Sequence, residues 1–250
     1  MRDALTGLAR YSMILDVTAT TFRAHGLVQT VERAHTEADG AAEARDRALT
    51  RLTRLFPHAY NDPAQWPLCR LLLPHQQELL THPFPDRATD RTASLLNGAG
   101  NFMRALGDAE GALPLYQRAL DSSERVRGKE HPNTLASVNN LALCIQALGD
   151  VAGALPLYRR ALESSERVLG KEHPDTLASV NNLAACLYAL GDAAGALPLY
   201  RRALDSRERV LGKEHPNTLT SVNNLALCLE ALGERSGSPA ALSACRRRVR

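Results

Sequence analysis

In the stretch "TLASVNNLALCIQAL", Val138, Leu141, Ala142 and Ile145 stand at i, i+3, i+4 and i+7, the spacing that gathers side chains on one face of an α-helix. Ala136, Asn140, Leu143 and Ala147 fall on nearly the opposite face, with Asn139 at its margin. Pro132 with Asn133 or Thr134 gives start signals, and Gly149 gives a stop. A second helix is predicted from about Gly153 through "ALPLYRRALESSERVL" to Gly170. Pro156 sits in its first turns, where a missing N–H costs least.

The pattern then recurs. "GKEHP" closes at Pro132, Pro174 and Pro216, an advance of 42 residues at each step, and "GALPLY" starts at Gly111, Gly153 and Gly195. Self-similarity of this period marks stacked units, because one helical hairpin cannot bury its apolar face alone. Two adjacent asparagines, Asn139 and Asn140, return as Asn181-Asn182 and Asn223-Asn224. Asparagine is a mediocre helix former, and a buried amide without partners is costly. Their recurrence therefore calls for a role.

Val138, Leu141, Ala142, Ile145, Gly149, Ala154, Tyr158 and Ala161, repeated as Val180, Leu183, Ala184, Leu187, Gly191, Ala196, Tyr200 and Ala203, resemble the small-and-large pattern of the tetratricopeptide repeat. The longer period is similar to that of kinesin light chains and many bacterial signalling proteins. The resemblance implies an all-α fold: a right-handed α-solenoid of helical hairpins over residues 88–235. The first unit is looser, with Ala99, Gly100, Met103 and Gly107 at the shared positions, as suits an end unit. In the last, Ser238, Leu242 and Cys245 replace Ala196, Tyr200 and Ala203, so residues 236–250 read as a degenerate or truncated tail. That leaves the helix at 217–232 thinly covered near Leu225 and Leu229; either a missing continuation or self-association through this edge would protect it, and self-association or instability is expected.

In such stacks the face opposite the packing stripe lines a concave groove. The expected peptide-binding positions are Asn139, Asn140, Leu143, Asn181, Asn182, Ala185, Asn223, Asn224 and Leu227. An amide offers a donor and an acceptor together, which an extended peptide backbone requires. The kinesin light-chain resemblance implies the same use. The alternative is that each amide bonds the neighbouring hairpin and fixes its register, and the two roles can coexist. Chaperone adaptors of this family grip a terminal carboxylate with Lys and Arg; here the groove positions hold Ala, Asn, Leu or Thr220, so an internal, neutral or mixed segment is the expected partner.

Composition adds exclusions. A net charge of +3 over 250 residues gives no large field for nucleic acid or membrane, and the Arg-rich end, Arg246 to Arg248 with Arg250, reads as a solvated tail. Cys144, Cys186 and Cys228 recur on successive units, about a helix diameter apart, too far for disulfides. No apolar run reaches membrane length, and a cytoplasmic protein is expected. Glu130-His131, Glu172-His173 and Glu214-His215 sit in separate turns and cannot converge on one metal; capping of the preceding helix and hydrogen-bonding in the turn are their expected roles. Neither catalysis nor a cofactor is expected.

Before the repeats, "YSMILDVTATTFRAHGLVQTVERAH" reads as two strands, roughly 12–17 and 20–25, and a helix from Gly26. "LTRLFPHAYNDPAQWPLCRLLLPHQQELLTH" reads as helices interrupted at Pro57, Pro67 and Pro74. His25, Leu27, Val28 and Gln29, with Trp66-Pro67 and Leu72 to His75, resemble the segment between nucleotide-binding module and repeats in bacterial STAND-type signalling NTPases. That implies a partial winged-helix-like segment over 1–37 and a helical linker over 38–87. The chain holds no Gly-rich phosphate loop ending in Gly-Lys-Ser or Gly-Lys-Thr. Two functions are therefore carried forward: a peptide-binding interaction module, and a sensor fragment of such an NTPase acting in autoinhibition or oligomer assembly.

Overall fold

The structure is a computed structural model and describes residues 16–17, 22–23, 53, 64, 66–81 and 90–236. The chain divides into two compact units, residues 1–52 and 53–250. In the first, β1 (Asp16–Val17) pairs antiparallel with β2 (Phe22–Arg23), Asp16 opposite Arg23 and Val17 opposite Phe22. These lie within the strand spans read from the sequence. The helix from Gly26, the break at Pro57 and the tail after Ser236 fall outside the described residues.

The second unit is helical wherever it is described at length. Its elements are α1 (Trp66–Thr81), α2 (Asp90–Ala105), α3 (Ala109–Arg127), α4 (Pro132–Ala147), α5 (Val151–Leu169), α6 (Pro174–Ala189), α7 (Ala193–Leu211) and α8 (Pro216–Ser236). Helices adjacent in sequence pack on each other, and α2, α4, α6 and α8 also touch in series. The result is an α-solenoid of hairpins in which α2, α4, α6 and α8 are the first, or A, helices.

Pro67 and Pro74 do not interrupt α1. Pro67 occupies its first turn, where no intrahelical N–H bond is lost, and Pro74 sits exposed inside the helix at the cost of one bond. Each later hairpin starts its second helix two residues before the expected Gly153: Asp150 Oδ1 accepts the Gly153 N–H at 2.8 Å, and Asp108 and Asp192 repeat this cap. The connection back to the next A helix passes through Gly170 at φ 88°, a left-handed conformation that a side chain would strain.

The histidines cap the following helix, not the preceding one. Nδ1 of His131, His173 and His215 accepts the backbone N–H of Asn133, Asp175 and Asn217 at 3.2, 3.2 and 3.1 Å. The cap precedes the proline because proline at N1 has no N–H to satisfy.

Cores lie between hairpins. Val138, Leu141 and Cys144 of α4 pack with Ala112, Tyr116 and Leu120 of α3, while Ala142 on the same helix joins Ala154, Tyr158 and Leu162 of α5. Gly100 takes the place of Ala142 in α2, and a Cβ there would come within 2.8 Å of the Tyr116 ring. The first hairpin thus needs glycine where the others use alanine. Leu225 is buried against α7, as Leu141 is against α3, because both face the preceding hairpin. The uncovered residues of α8 are Leu219, 55% exposed against 2% for Leu135 and 1% for Leu177, and Leu227, 45% exposed.

Ion pairs run from a second helix to the preceding second helix or to the turn that follows it. Arg160 pairs with Glu124, Arg202 with Glu166, Arg167 with Glu130, and Arg209 with Glu172 at 3.0 Å. Each links one hairpin to the next. Arg207 departs from the pattern: it is buried where Ser123 and Ser165 stand in earlier units, and it donates to Ser221 Oγ at 2.8 Å and to the Asn217 carbonyl at 3.1 Å. Burial pushes its guanidinium below the usual arginine range.

Candidate functional site

The A helices divide their surface as their periodicity requires. Val138, Leu141 and Ala142 are buried, whereas Ala136 and Ala147 are exposed and Asn140 and Leu143 half-buried between them. On α6 the matching face holds Ala178, Asn182 and Ala185, all half-buried, and exposed Ala189. On α8 it holds Thr220 and Leu227, both exposed, with Asn224 half-buried. The face is lined by small and amide side chains because those are what the repeat places there.

Asparagines link the units. Asn97 donates through Nδ2 to Ser137 Oγ at 2.9 Å, and Asn139 repeats this toward Ser179, also at 2.9 Å. The second residue of each pair reaches backward: Asn140 donates to Asn97 Oδ1 at 3.1 Å and Asn224 to Asn181 Oδ1 at 3.0 Å. Inter-hairpin bonding is therefore one role of the amides. Asn97 was the member that sequence reading missed, although it lies one period before Asn139; Gly98, where a second asparagine would stand, hides the pair. Ser137 and Ser179, buried acceptors on the next A helix, were missed as well.

The ladder is incomplete in the middle. Asn182, at the position of Asn140 and Asn224, makes no hydrogen bond among the described residues, and Asn139 Oδ1 is buried without a partner. Asn223, at the open end of the stack, is exposed. Asn182 thus keeps an uncommitted, half-buried amide, whereas the Asn139 oxygen is enclosed.

Two tyrosine hydroxyls and three thiols around this layer are already committed. Tyr158 donates to Gln146 Oε1 at 3.0 Å and Tyr116 to Asn101 Oδ1 at 2.7 Å. Burial raises the Tyr158 hydroxyl far above the usual tyrosine range and pushes that of Tyr200 up to about 12. Cys144, Cys186 and Cys228 are fully buried and donate to the carbonyls of Ala109, Val151 and Ala193 at 3.2, 3.4 and 3.2 Å. Burial raises all three thiols, which opposes the thiolate that reactivity needs. The histidines are spread one per hairpin as helix caps.

A sequence model described as tetratricopeptide repeat matches residues 91–144, 134–209 and 176–236. A nucleotide-binding leucine-rich repeat (NLR)-like protein of Hyaloscypha variabilis is 36% identical over 140 residues, 55% of this chain; the chain spans 14% of that relative's length. Among solved structures, a Podosopora anserina putative kinesin light chain with nearly identical TPR-like repeats superposes with a TM-score of 0.56 at 24% identity, covering 83% of this chain and 94% of that one. BtubC (BKLC) from P. vanneervenii gives 0.58 at 21% identity, covering 82% and 88%. Bacillus thuringiensis PlcR, solved with the peptide PapR7 and DNA, gives 0.52 at 14% identity, covering 88% and 73%. These structural likenesses speak to the fold.

Proposed function

The chain belongs to the tetratricopeptide repeat family, whose arrays are protein-interaction modules, and from that premise we propose that its concave face holds an extended peptide segment of a partner protein. The observation that carries this reading is the half-buried Asn182 amide, which makes no hydrogen bond among the described residues. A peptide group brings one carbonyl and one N–H, the complement of a single side-chain amide. Asn139, Asn140, Asn181, Asn182, Asn223 and Asn224 supply polar contacts, and Leu143, Ala185 and Leu227 supply apolar floor and space. That PlcR was solved with a peptide is compatible with this use of the fold.

The test is selection of twelve-residue peptides on the wild-type chain by display, followed by rebinding to Asn182→Ala. Loss of binding with an unchanged melting temperature supports the assignment. Equal binding removes it.

A second reading is favoured by the NLR-like relative: the repeats are the sensor region of a larger nucleotide-binding signalling protein, with 1–37 winged-helix-like, 38–87 a linker, 88–235 the repeats and 236–250 a tail. An antibody against the repeats, applied to native extract, separates the readings: a band far above 27.2 kDa favours the second, and a band at that mass opposes it. Under either reading, the uncovered α8 face around Leu219 is assigned to self-association.

A further inference from the structure

The three junctions between successive A helices use one bonding scheme twice and depart from it once. Ser137, Ser179 and Ser221 are buried at equivalent positions of α4, α6 and α8. Each donates its hydroxyl to a carbonyl of its own helix, those of Asn133, Asp175 and Asn217, which leaves the oxygen to accept from the preceding hairpin. Asn97 donates to Ser137 and Asn139 to Ser179, both at 2.9 Å. Asn181 does not repeat this toward Ser221: among the described residues its side chain accepts from Asn224 and donates nowhere.

The departure coincides with one change of residue. The second helix contributes Ser123, 3.3 Å from Ser137, to the first junction and the equivalent Ser165 to the second, but Arg207 to the third. Arg207 Nη1 donates to Ser221 Oγ at 2.8 Å, a charge-assisted bond that a neutral amide does not match. Its donations to the carbonyls of Asn217 and Leu177, at 3.1 and 3.4 Å, hold the guanidinium against α8 and α6. With serine at this place the asparagine bond is made; with arginine it is not.

The consequence falls on one helix. In α4 both amides donate, Asn139 forward to Ser179 and Asn140 back to Asn97. In α6 neither does, so Asn181 and Asn182 keep uncommitted NH2 groups on adjacent, half-buried residues, one at the margin of the groove face and one on it. Unlike Asn139 Oδ1, neither nitrogen is enclosed.

We propose that Arg207 is a positioning residue for the peptide groove: by occupying Ser221 it withholds that oxygen from Asn181 and leaves the Asn181 amide to a carbonyl of the bound segment. This rests on the peptide-groove reading above. It concentrates recognition on α6, whose two donors call for a stretch of ligand with two accessible carbonyls, the chemistry of an extended backbone. Arg207 acts from within the junction, without contact to the ligand.

The test uses twelve-residue peptides selected by display on the wild-type chain, fluorescein-labelled and read by fluorescence anisotropy. The variants are Arg207→Ser, Arg207→Ser with Ser221→Ala, and Asn182→Ala. Arg207→Ser restores the serine of the earlier junctions, releases Ser221 to Asn181, and should weaken binding about fivefold, the worth of one hydrogen bond. Removing the Ser221 hydroxyl as well takes away the competing acceptor and should return the affinity to near wild type, a recovery that damage to the junction does not give. In the wild type alone, the Asn181 side-chain amide resonances should shift on saturation with peptide. Wild-type affinity in Arg207→Ser, no recovery in the double variant, or an unmoved Asn181 overturns the role of Arg207, while weakened binding by Asn182→Ala keeps the groove reading. Equal binding by every variant, or a display that yields no peptide, overturns the groove reading and this role with it.

Discussion

Asn140 donates through its side-chain amide to Asn97 Oδ1 at 3.1 Å, forty-three residues earlier in the chain and one hairpin back in the stack. The same donation joins Asn224 to Asn181, and its absence leaves the Asn182 amide uncommitted among the described residues and Asn139 Oδ1 buried without a partner. One residue type at one helical position thus gives two outcomes. Where the amide finds its neighbour it links two hairpins, and where it does not it is the group that the proposed function assigns to a peptide.

This separates the asparagines by stability. Asn140→Ala strands the Asn97 oxygen in a half-buried site and is expected to cost about 1 kcal/mol, a fall of about 2–4 °C in melting temperature for a chain of this size. Asn182→Ala loses no bond and should melt with the wild type. Differential scanning calorimetry of the two variants reads the difference; equal losses would contradict the open rung.

The histidine caps are testable by residue type. His173→Ala removes the acceptor for the Asp175 N–H and should cost about 1 kcal/mol, whereas His173→Asp keeps a cap and should cost only a few tenths. If both variants lose the same stability in urea titrations, the Nδ1 contact is not what holds the helix start.

Among the described residues Arg207 is buried without a carboxylate partner, and Ser165 fills the same place one unit earlier. Replacing a desolvated charge by a small group that the repeat already accommodates is expected to be nearly neutral. Arg207→Ser should shift stability by less than about 1 kcal/mol, its hydroxyl meeting Ser221 as Ser123 meets Ser137 at 3.3 Å. A loss above about 3 kcal/mol would show that the donations of Arg207 to Ser221, Asn217 and the Leu177 carbonyl organise the last junction.

Leu219 is 55% exposed where its counterparts Leu135 and Leu177 are buried. Sedimentation velocity across a hundredfold range of protein concentration should show association that Leu219→Glu suppresses. A wild type that stays monomeric throughout that range argues against self-association at this edge.

Helix limits were legible because their signals are local: proline after histidine opens α4, α6 and α8, aspartate three residues before glycine opens each second helix, and glycine follows the end of α2 to α7, whereas α8 runs on through Gly233 to Ser236. The packing stripe was legible for the same reason, since Val138, Leu141 and Ala142 obey one period. Direction was harder. Periodicity says that Leu225 lies on a buried face but not whether the preceding or the following hairpin buries it, so the exposed residue was Leu219 instead. The histidines looked like caps, but only backbone geometry assigns Nδ1 to the helix that follows. Asn97 escaped because a single asparagine beside Gly98 breaks the visible pair, and whether each amide finds a neighbour depends on side-chain placement that no period encodes.

The most direct measurement is isotope-detected titration of the asparagine side-chain amides with a display-selected peptide. The account predicts that the Asn182 amide resonances shift on saturation while those of Asn140, already bonded to Asn97, stay near their free positions. A saturated complex in which Asn182 does not move, or in which no A-helix amide moves, would contradict it.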